Sequence, residues 1–219
     1  SPFINSDNPL AIANGETSKA DNFRTLGTLF GEYYILPEWS AKLNVGFDVR
    51  NSRRDVYVST MTKNGAGSGG IATILSGNRN NYLGEFTTTY NKEINPDNNL
   101  SLMGGITYQK FVNMNYAGTG RGFPNDESLT HSMESADPEL YTMSSEKQSN
   151  KLISYIGRLN YGLLNKYLFT FTFRADGSSR FGEDNKFAYF PSAAFAWKMH
   201  EESFIDNLDI FSFLKFRAS

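Results

Sequence analysis

Residues 167–197 read YLFTFTFRADGSSRFGEDNKFAYFPSAAFAW, and this stretch decides the fold. Strand side chains alternate with period two, so Tyr167, Phe169, Phe171, Phe173 and Ala175 share one side of an extended chain, while Leu168, Thr170, Thr172, Arg174 and Asp176 share the other. A face of four aromatic rings must be covered by something as apolar as itself, either a core or lipid. Asp176-Gly177-Ser178-Ser179-Arg180 and Gly182-Glu183-Asp184-Asn185 are rich in loop-closing residues, which predicts a turn there. A second aromatic strand over 187–199 returns from it, making a long hairpin.

Working outward, the same alternation recurs. Over 39–50, Trp39, Ala41, Leu43, Val45, Phe47 and Val49 oppose Lys42, Asn44, Asp48 and Arg50. Over 81–93, Tyr82, Phe86, Thr88 and Tyr90 fall together, and over 100–109 Leu100, Leu102, Gly104, Ile106 and Tyr108 oppose Ser101, Met103, Gly105, Thr107 and Gln109. Further strands are expected at 22–36, 151–161 and 213–219, giving about eight. A short helix is expected over 125–136 behind Pro124, and a helical turn over 201–207.

The connections sort by length. Short ones, such as Pro37-Glu38 and Asn95-Pro96-Asp97-Asn98-Asn99, follow the first, third and fifth strands, and the seventh after a modest insertion. Long ones follow the second, fourth and sixth. Transmembrane barrels have short turns at one rim and longer loops at the other. Several strands also reach the roughly 9–11 residues needed to cross a bilayer at a tilt. Tyr34, Trp39, Tyr161, Tyr167 and Trp197 cluster near the short turns and are candidates for a membrane-interface girdle.

Composition permits this reading. Of 219 residues, 39% are hydrophobic and 15% aromatic, with 18 Phe and 12 Tyr; mean hydropathy is -0.44, as expected when only alternate residues meet lipid. No run approaches the roughly 18 apolar residues of a spanning helix. Net charge is -2 from 21 basic and 23 acidic residues, with no clustered basic stripe, so nucleic acid is not an expected partner. The absence of Cys removes disulfides and thiolate chemistry.

Motifs for catalysis are weak. His131 and His200 do not form the H-E-x-x-H pattern of a catalytic zinc site, and no G-x-S-x-G elbow supplies a nucleophile. Gly118-x-Gly120-x-Gly122 and the run Gly65-Ala66-Gly67-Ser68-Gly69-Gly70 lack the Lys-Ser/Thr that follows in a phosphate cradle. Neither an enzyme nor a cofactor or metal site is expected. The segment Arg174, Asp176, Gly177, Ser178, Ser179, Arg180 and Phe181 is the most specific signature, read as an outer-loop element that either supports the fold or contacts a partner. In the structural reading Gly177 supplies a positive φ and Arg174 or Arg180 pairs with Asp176. Lys42, Asn44, Asp48, Arg50, Gln109, Arg158, Asn160 and Arg174 line a polar interior.

The order R-x-D-G-S-S-R-F-G (Arg174 to Gly182), F-P-S (Phe190, Pro191, Ser192), Trp197 with Glu202 and Phe204, and a final Leu214, Lys215, Arg217, Ala218 and Ser219 resembles the SusC/RagA family of TonB-linked outer-membrane transporters. Asn8-Pro9-Leu10 and Ser154-Tyr155-x-Gly157-Arg158-x-Asn160-Tyr161 are also similar to it. The resemblance implies that residues 1–219 are a single all-β, antiparallel segment from the C-terminal part of a transmembrane barrel. The expectation is an open arc of about eight strands from a barrel of about 22, with plug and N-terminal domains absent. It further implies uptake of large nutrients, usually oligosaccharides and sometimes peptides, across the outer membrane of a Gram-negative, Bacteroidetes-like cell. A SusD-like surface lipoprotein and TonB, contacted through parts outside this chain, are the implied partners. The alternative is a soluble carbohydrate-binding β-sandwich, which would lock Phe47, Phe86, Phe169 and Phe171 into a dry centre.

Overall fold

The computed structural model describes residues 9–182, 186–207 and 210–219; Asn8, Glu183, Asp184 and Asn185, used in the sequence reading, lie outside the described residues. The elements run α1 (Pro9–Gly15), β1 (Glu16–Leu36), β2 (Trp39–Val58), α2 (Lys63–Ala66), β3 (Ile71–Asn95), β4 (Asn98–Arg121), β5 (Thr142–Leu163), β6 (Tyr167–Ser178), β7 (Phe187–Lys198), α3 (Ser203–Asp206) and β8 (Lys215–Ala218). The strands form one antiparallel, eight-stranded open sheet in consecutive order. Contacts divide it into two units: Ser1–Leu26, Asp48–Asn81 and Phe111–Ser149 in the first, and Gly27–Phe47, Tyr82–Lys110 and Asn150–Ser219 in the second.

The second unit carries the amphipathic wall. In register, Tyr167 pairs with Leu163 and Trp197, Phe169 with Tyr161 and Phe195, and Phe173 with Gly157 and Pro191. The rings on this face stack along it, with Tyr167 and Trp197 centroids 6.1 Å apart and Phe169 and Phe195 5.2 Å apart. Among the described residues nothing closes over this kind of face: Phe47 is 44% exposed, Phe86 44% and Phe171 53%. A sandwich would have buried these rings, so the two-sheet alternative is overturned. Exposed aromatic surface on this scale marks a face made for an apolar partner, and on a transmembrane barrel that partner is lipid.

The short turns of this unit bond to one another or to a neighbouring strand. Leu164 and Asn165 adopt φ of 55° and 54°, a left-handed pair suited to a tight hairpin. The Asn165 amide donates to the Asp97 carbonyl (2.8 Å) and its side-chain amide to the Pro96 carbonyl (2.9 Å). Likewise the Asn91 amide reaches the Glu38 carbonyl (2.7 Å), and the Lys198 amide the Lys166 carbonyl (2.8 Å).

The first unit holds what core there is. Tyr57, Ala72, Phe123 and Ala136 are buried together, with Leu129 and Met133 packed against them. Tyr57 and Phe123 meet edge to face at 5.8 Å. These residues come from the ends of β2 and β3 and from the segment after β4, so the two long loops of this unit fold onto one another.

Three expectations need correction. Strands β1 to β5 run for 20 to 25 residues, so much of what alternation assigned to long loops after Arg50 and Phe111 is strand. The hydrogen-bond ladder does not need an apolar face; where both faces meet water the alternation vanishes but pairing continues. No helix spans 125–136: Leu129 takes a φ of 48°, and only a 3-10 turn forms at Met133–Ser135. Asp176, Gly177 and Ser178 belong to β6 rather than to a loop. The expected turn at 201–207 is present as a 3-10 turn (Met199–Glu201) followed by α3.

Candidate functional site

Each unit has its own polar contacts, and these fix which of its side chains share a face. In the first unit Arg24 Nε and a second guanidinium nitrogen grip Asp48 at 2.8 and 3.1 Å, and Arg50 reaches the same carboxylate at 3.0 and 3.3 Å. Arg54 Nε donates to the Ser18 hydroxyl at 3.1 Å. The Thr73 and Thr119 hydroxyls meet at 3.1 Å.

Within the second unit, Asn44 Nδ2 donates to Glu85 at 2.9 Å, Thr170 to Asn160 at 2.9 Å and Arg158 Nε to Thr172 at 3.4 Å. Lys42 Nζ lies 5.2 Å from the Phe30 ring centroid, which places Phe30 on the same face as Lys42. Alternation from Phe30 puts Tyr34 there too, away from Trp39. Of the interior residues expected from sequence, Lys42, Asn44, Asp48, Arg50, Arg158, Asn160 and Arg174 are thus tied by contacts to a polar face.

The DGSSR signature forms a clasp. Arg174 Nε sits 2.7 and 2.9 Å from the two Asp176 oxygens and its outer nitrogen 3.4 Å from Ser154. Ser179 bonds Lys151 twice, its amide donating to the carbonyl at 3.0 Å and its hydroxyl accepting from the Lys151 amide at 2.9 Å. Arg180 Nε donates to Asn150 at 2.7 Å. Every one of these contacts ties β6 back to β5 or to itself. Gly177 is needed for space, not for a positive φ: a Cβ there would stand 2.8 Å from the Phe187 ring and 3.1 Å from Ile153. Phe181, the last of the signature, is 46% exposed.

The girdle candidates also have partners. Trp39 Nε1 donates to Thr88 at 2.6 Å, and that hydroxyl in turn donates to the Ser40 carbonyl at 3.0 Å. Tyr167 (2.6 Å), Trp197 (3.1 Å) and Lys166 (3.0 Å) all donate to Glu202. These three donors, the tyrosine first, hold the Glu202 carboxyl below its ordinary pKa. Tyr161 takes its place in the same row, opposite Phe169.

Sequence reasoning missed Asp126. This carboxylate accepts from the Tyr57 hydroxyl (2.8 Å), the Ser59 hydroxyl (2.9 Å), the Thr60 amide (3.1 Å) and the Thr60 hydroxyl (2.6 Å). Burial alone would raise its pKa, but the Thr60, Tyr57 and Ser59 donors outweigh that and hold it below the usual value. No local pattern announces an acid whose donors lie more than sixty residues upstream.

His200 Nδ1 lies 3.0 Å from the Leu214 carbonyl and Nε2 3.4 Å from Glu201, while the His131 amide closes a turn onto Ser128. Among the described residues no cluster of three or more potential ligands could hold a metal ion.

No family model matches the chain. Individual proteins do. It is 37% identical over 215 residues to TonB-dependent receptor P3 of Formosa agariphila, covering 97% of this chain and 21% of that protein. It is 33% identical over 214 residues to TonB-dependent receptor SusC of Bacteroides thetaiotaomicron, covering 96% of this chain and 20% of that one. The chain belongs with the SusC-like TonB-dependent receptors. A solved structure of the RagAB peptide transporter superposes with a TM-score of 0.84 at 19% identity, over 94% of this chain and 23% of that one, which shows the barrel fold. The chain spans about a fifth of the length of the curated relatives it matches. Both of those relatives are named TonB-dependent receptors.

Proposed function

We propose that residues 1–219 form one segment of the wall of a TonB-dependent transporter that imports oligosaccharides, or peptides as the RagAB peptide transporter does. The observation that carries this reading is the two-faced sheet. Rings at Phe47, Phe86 and Phe171 stand uncovered on one side, while Asp48, Glu85, Arg158 and Arg174 engage polar partners on the other. Lipid tolerates no unpaired strand edge, so β1 and β8 pair with further strands of the same wall. Energy from TonB enters through parts outside this chain, and a SusD-like lipoprotein covers the outer loops.

Within that wall the DGSSR clasp is a folding element that pins β6 to β5, and Trp39, Tyr161, Tyr167 and Trp197 form the interfacial girdle near the short turns. Tyr34, on the other face, is not part of it.

The test is deletion of the gene for the full-length receptor, with growth and uptake followed on oligosaccharides and on peptides as sole nutrient. Loss of uptake of one class, restored by the intact gene, supports the reading. Unchanged uptake of every large nutrient, with small ones impaired, overturns it. A tagged full-length receptor should also retain a lipoprotein partner during purification.

A further inference from the structure

We infer that the polar wall of the first unit selects acidic sugar chains, oligosaccharides bearing carboxylate or sulfate groups. This rests on the import reading above and narrows its substrate class. The argument starts from which side chains share the face. Arg24, Asp48 and Arg50 meet there, as do Arg54 and Ser18. A Cβ at Gly77 would lie 2.8 Å from the Ser52 hydroxyl and 3.4 Å from Asn115, so Gly77 and Asn115 join them. Arg79 stands two residues after Gly77 in β3, and Arg121 two after Thr119 in β4. Period-two alternation therefore brings both arginines to this face.

The face carries Arg24, Arg50, Arg54, Arg79 and Arg121 against Glu16, Asp48 and Glu146. The charges are not mutually consumed. Asp48 alone serves two guanidiniums, Arg54 donates only to a neutral hydroxyl, and Arg79 and Arg121 have no hydrogen-bonded or ionic side-chain partner among the described residues. Arg79 and Arg121 each retain a planar fork of donors suited to two oxygens of a carboxylate or oxyanion at once. A cleft wall of one excess sign also concentrates ligands of the opposite sign. The chain as a whole is slightly acidic, at -2, so the excess is local to this wall.

The lining between the arginines favours sugar over peptide. A notch of about 630 Å³ is bordered by Asn22, Ser52, Arg54, Asn115, Ser144 and Glu146, with Tyr116 beside them. Amides and hydroxyls both donate and accept, as sugar hydroxyls do.

The experiment uses the full-length receptor purified in detergent and labelled probes of equal length: an oligogalacturonate, a sulfated galactan oligomer, neutral maltohexaose and hexaglutamate. Binding is measured by fluorescence anisotropy at low and high salt. At least one acidic sugar should bind tenfold or more tighter than maltohexaose, with that advantage shrinking as salt rises. Arg79→Gln together with Arg121→Gln should remove most of the advantage and leave maltohexaose binding unchanged; single variants, each checked for native heat-shifted migration, keep the test valid if the pair folds poorly. Equal binding of acidic and neutral sugars, stronger binding of hexaglutamate, absence of acidic-sugar binding, or indifference to the arginine changes would each overturn the inference. Maltohexaose uptake persisting in that event would leave the import reading standing.

Discussion

Replacing Asp126 by Ala should loosen the outer loops without dissolving the sheet. The carboxylate accepts four hydrogen bonds. Thr60 is exposed, so water can replace the acceptor for its amide and hydroxyl. Tyr57 and Ser59 are not so placed, at 1% and 6% exposure. Orphaning a buried donor costs about 1–3 kcal/mol, so two of them destabilise the folded loops by about 4 kcal/mol. If the loops open as one local unit, amide exchange within them should accelerate by roughly two to three decades, since about 1.4 kcal/mol is a factor of ten. The sensitive reporters are the Gly122 and Phe123 amides, which donate to the Ser68 and Gly69 carbonyls across the two loops, and the Ser59 amide, bonded to Gly15. Hydrogen–deuterium exchange on the full-length receptor reads all three. Asp126→Asn, which keeps the shape but loses the charge and one acceptor, should fall between. If both variants change exchange by less than about threefold while strand amides behave alike, the carboxylate does not organise these loops and the reasoning fails.

Further outcomes follow from other contacts. Gly177→Ala places a methyl group against Phe187 and Ile153 and should lower the heat-modification temperature of the folded barrel, whereas Ser178→Ala, which leaves the Ser179 clasp intact, should do so much less. Asn165→Gly relieves the left-handed backbone at that position and should be neutral or stabilising by under about 1 kcal/mol; a loss of several degrees in that temperature would show that the side-chain bond to Pro96 matters more. Glu202 has a folded pKa below its unfolded one, so its contribution is present above the unfolded value and lost as pH falls through the folded one. On the full-length receptor, the emission lost in a Trp197→Phe variant isolates the Trp197 signal, which should shift on acid titration at a pH below the ordinary carboxylate range, and Glu202→Gln should abolish that step; an unchanged titration contradicts the assignment.

The sequence carried the wall well because lipid-facing strands impose a strict alternation. Phe169, Phe171 and Phe173 could be sided correctly from spacing alone, and the short turns after β1, β3 and β5 were legible from Pro and Asn. The outer half was harder to read. Around Ser52, Arg53 and Arg54 both faces are polar, so nothing in the pattern distinguishes an extended ladder from a loop, and the strands proved longer than expected. Gly177 was misread for a similar reason: D-G-S is commonly a turn, but the neighbouring Ile153 and Phe187 needed a residue without a side chain. Asp126 and its donors meet only through folding. Tyr34 was placed by its nearness to a turn, which says nothing about which side of a strand it occupies.

The tethered hairpin ends, Glu38 to Asn91, Asp97 to Asn165 and Lys166 to Lys198, have a bearing on how such a wall can vary over generations. Each bend is bonded to the next bend or to the adjoining strand, so adding or removing one residue in it displaces an atom that its neighbour relies on. Changes in chain length are therefore tolerated almost wholly at the opposite end of the strands. Diversity in cargo can accumulate there while the lower margin stays fixed.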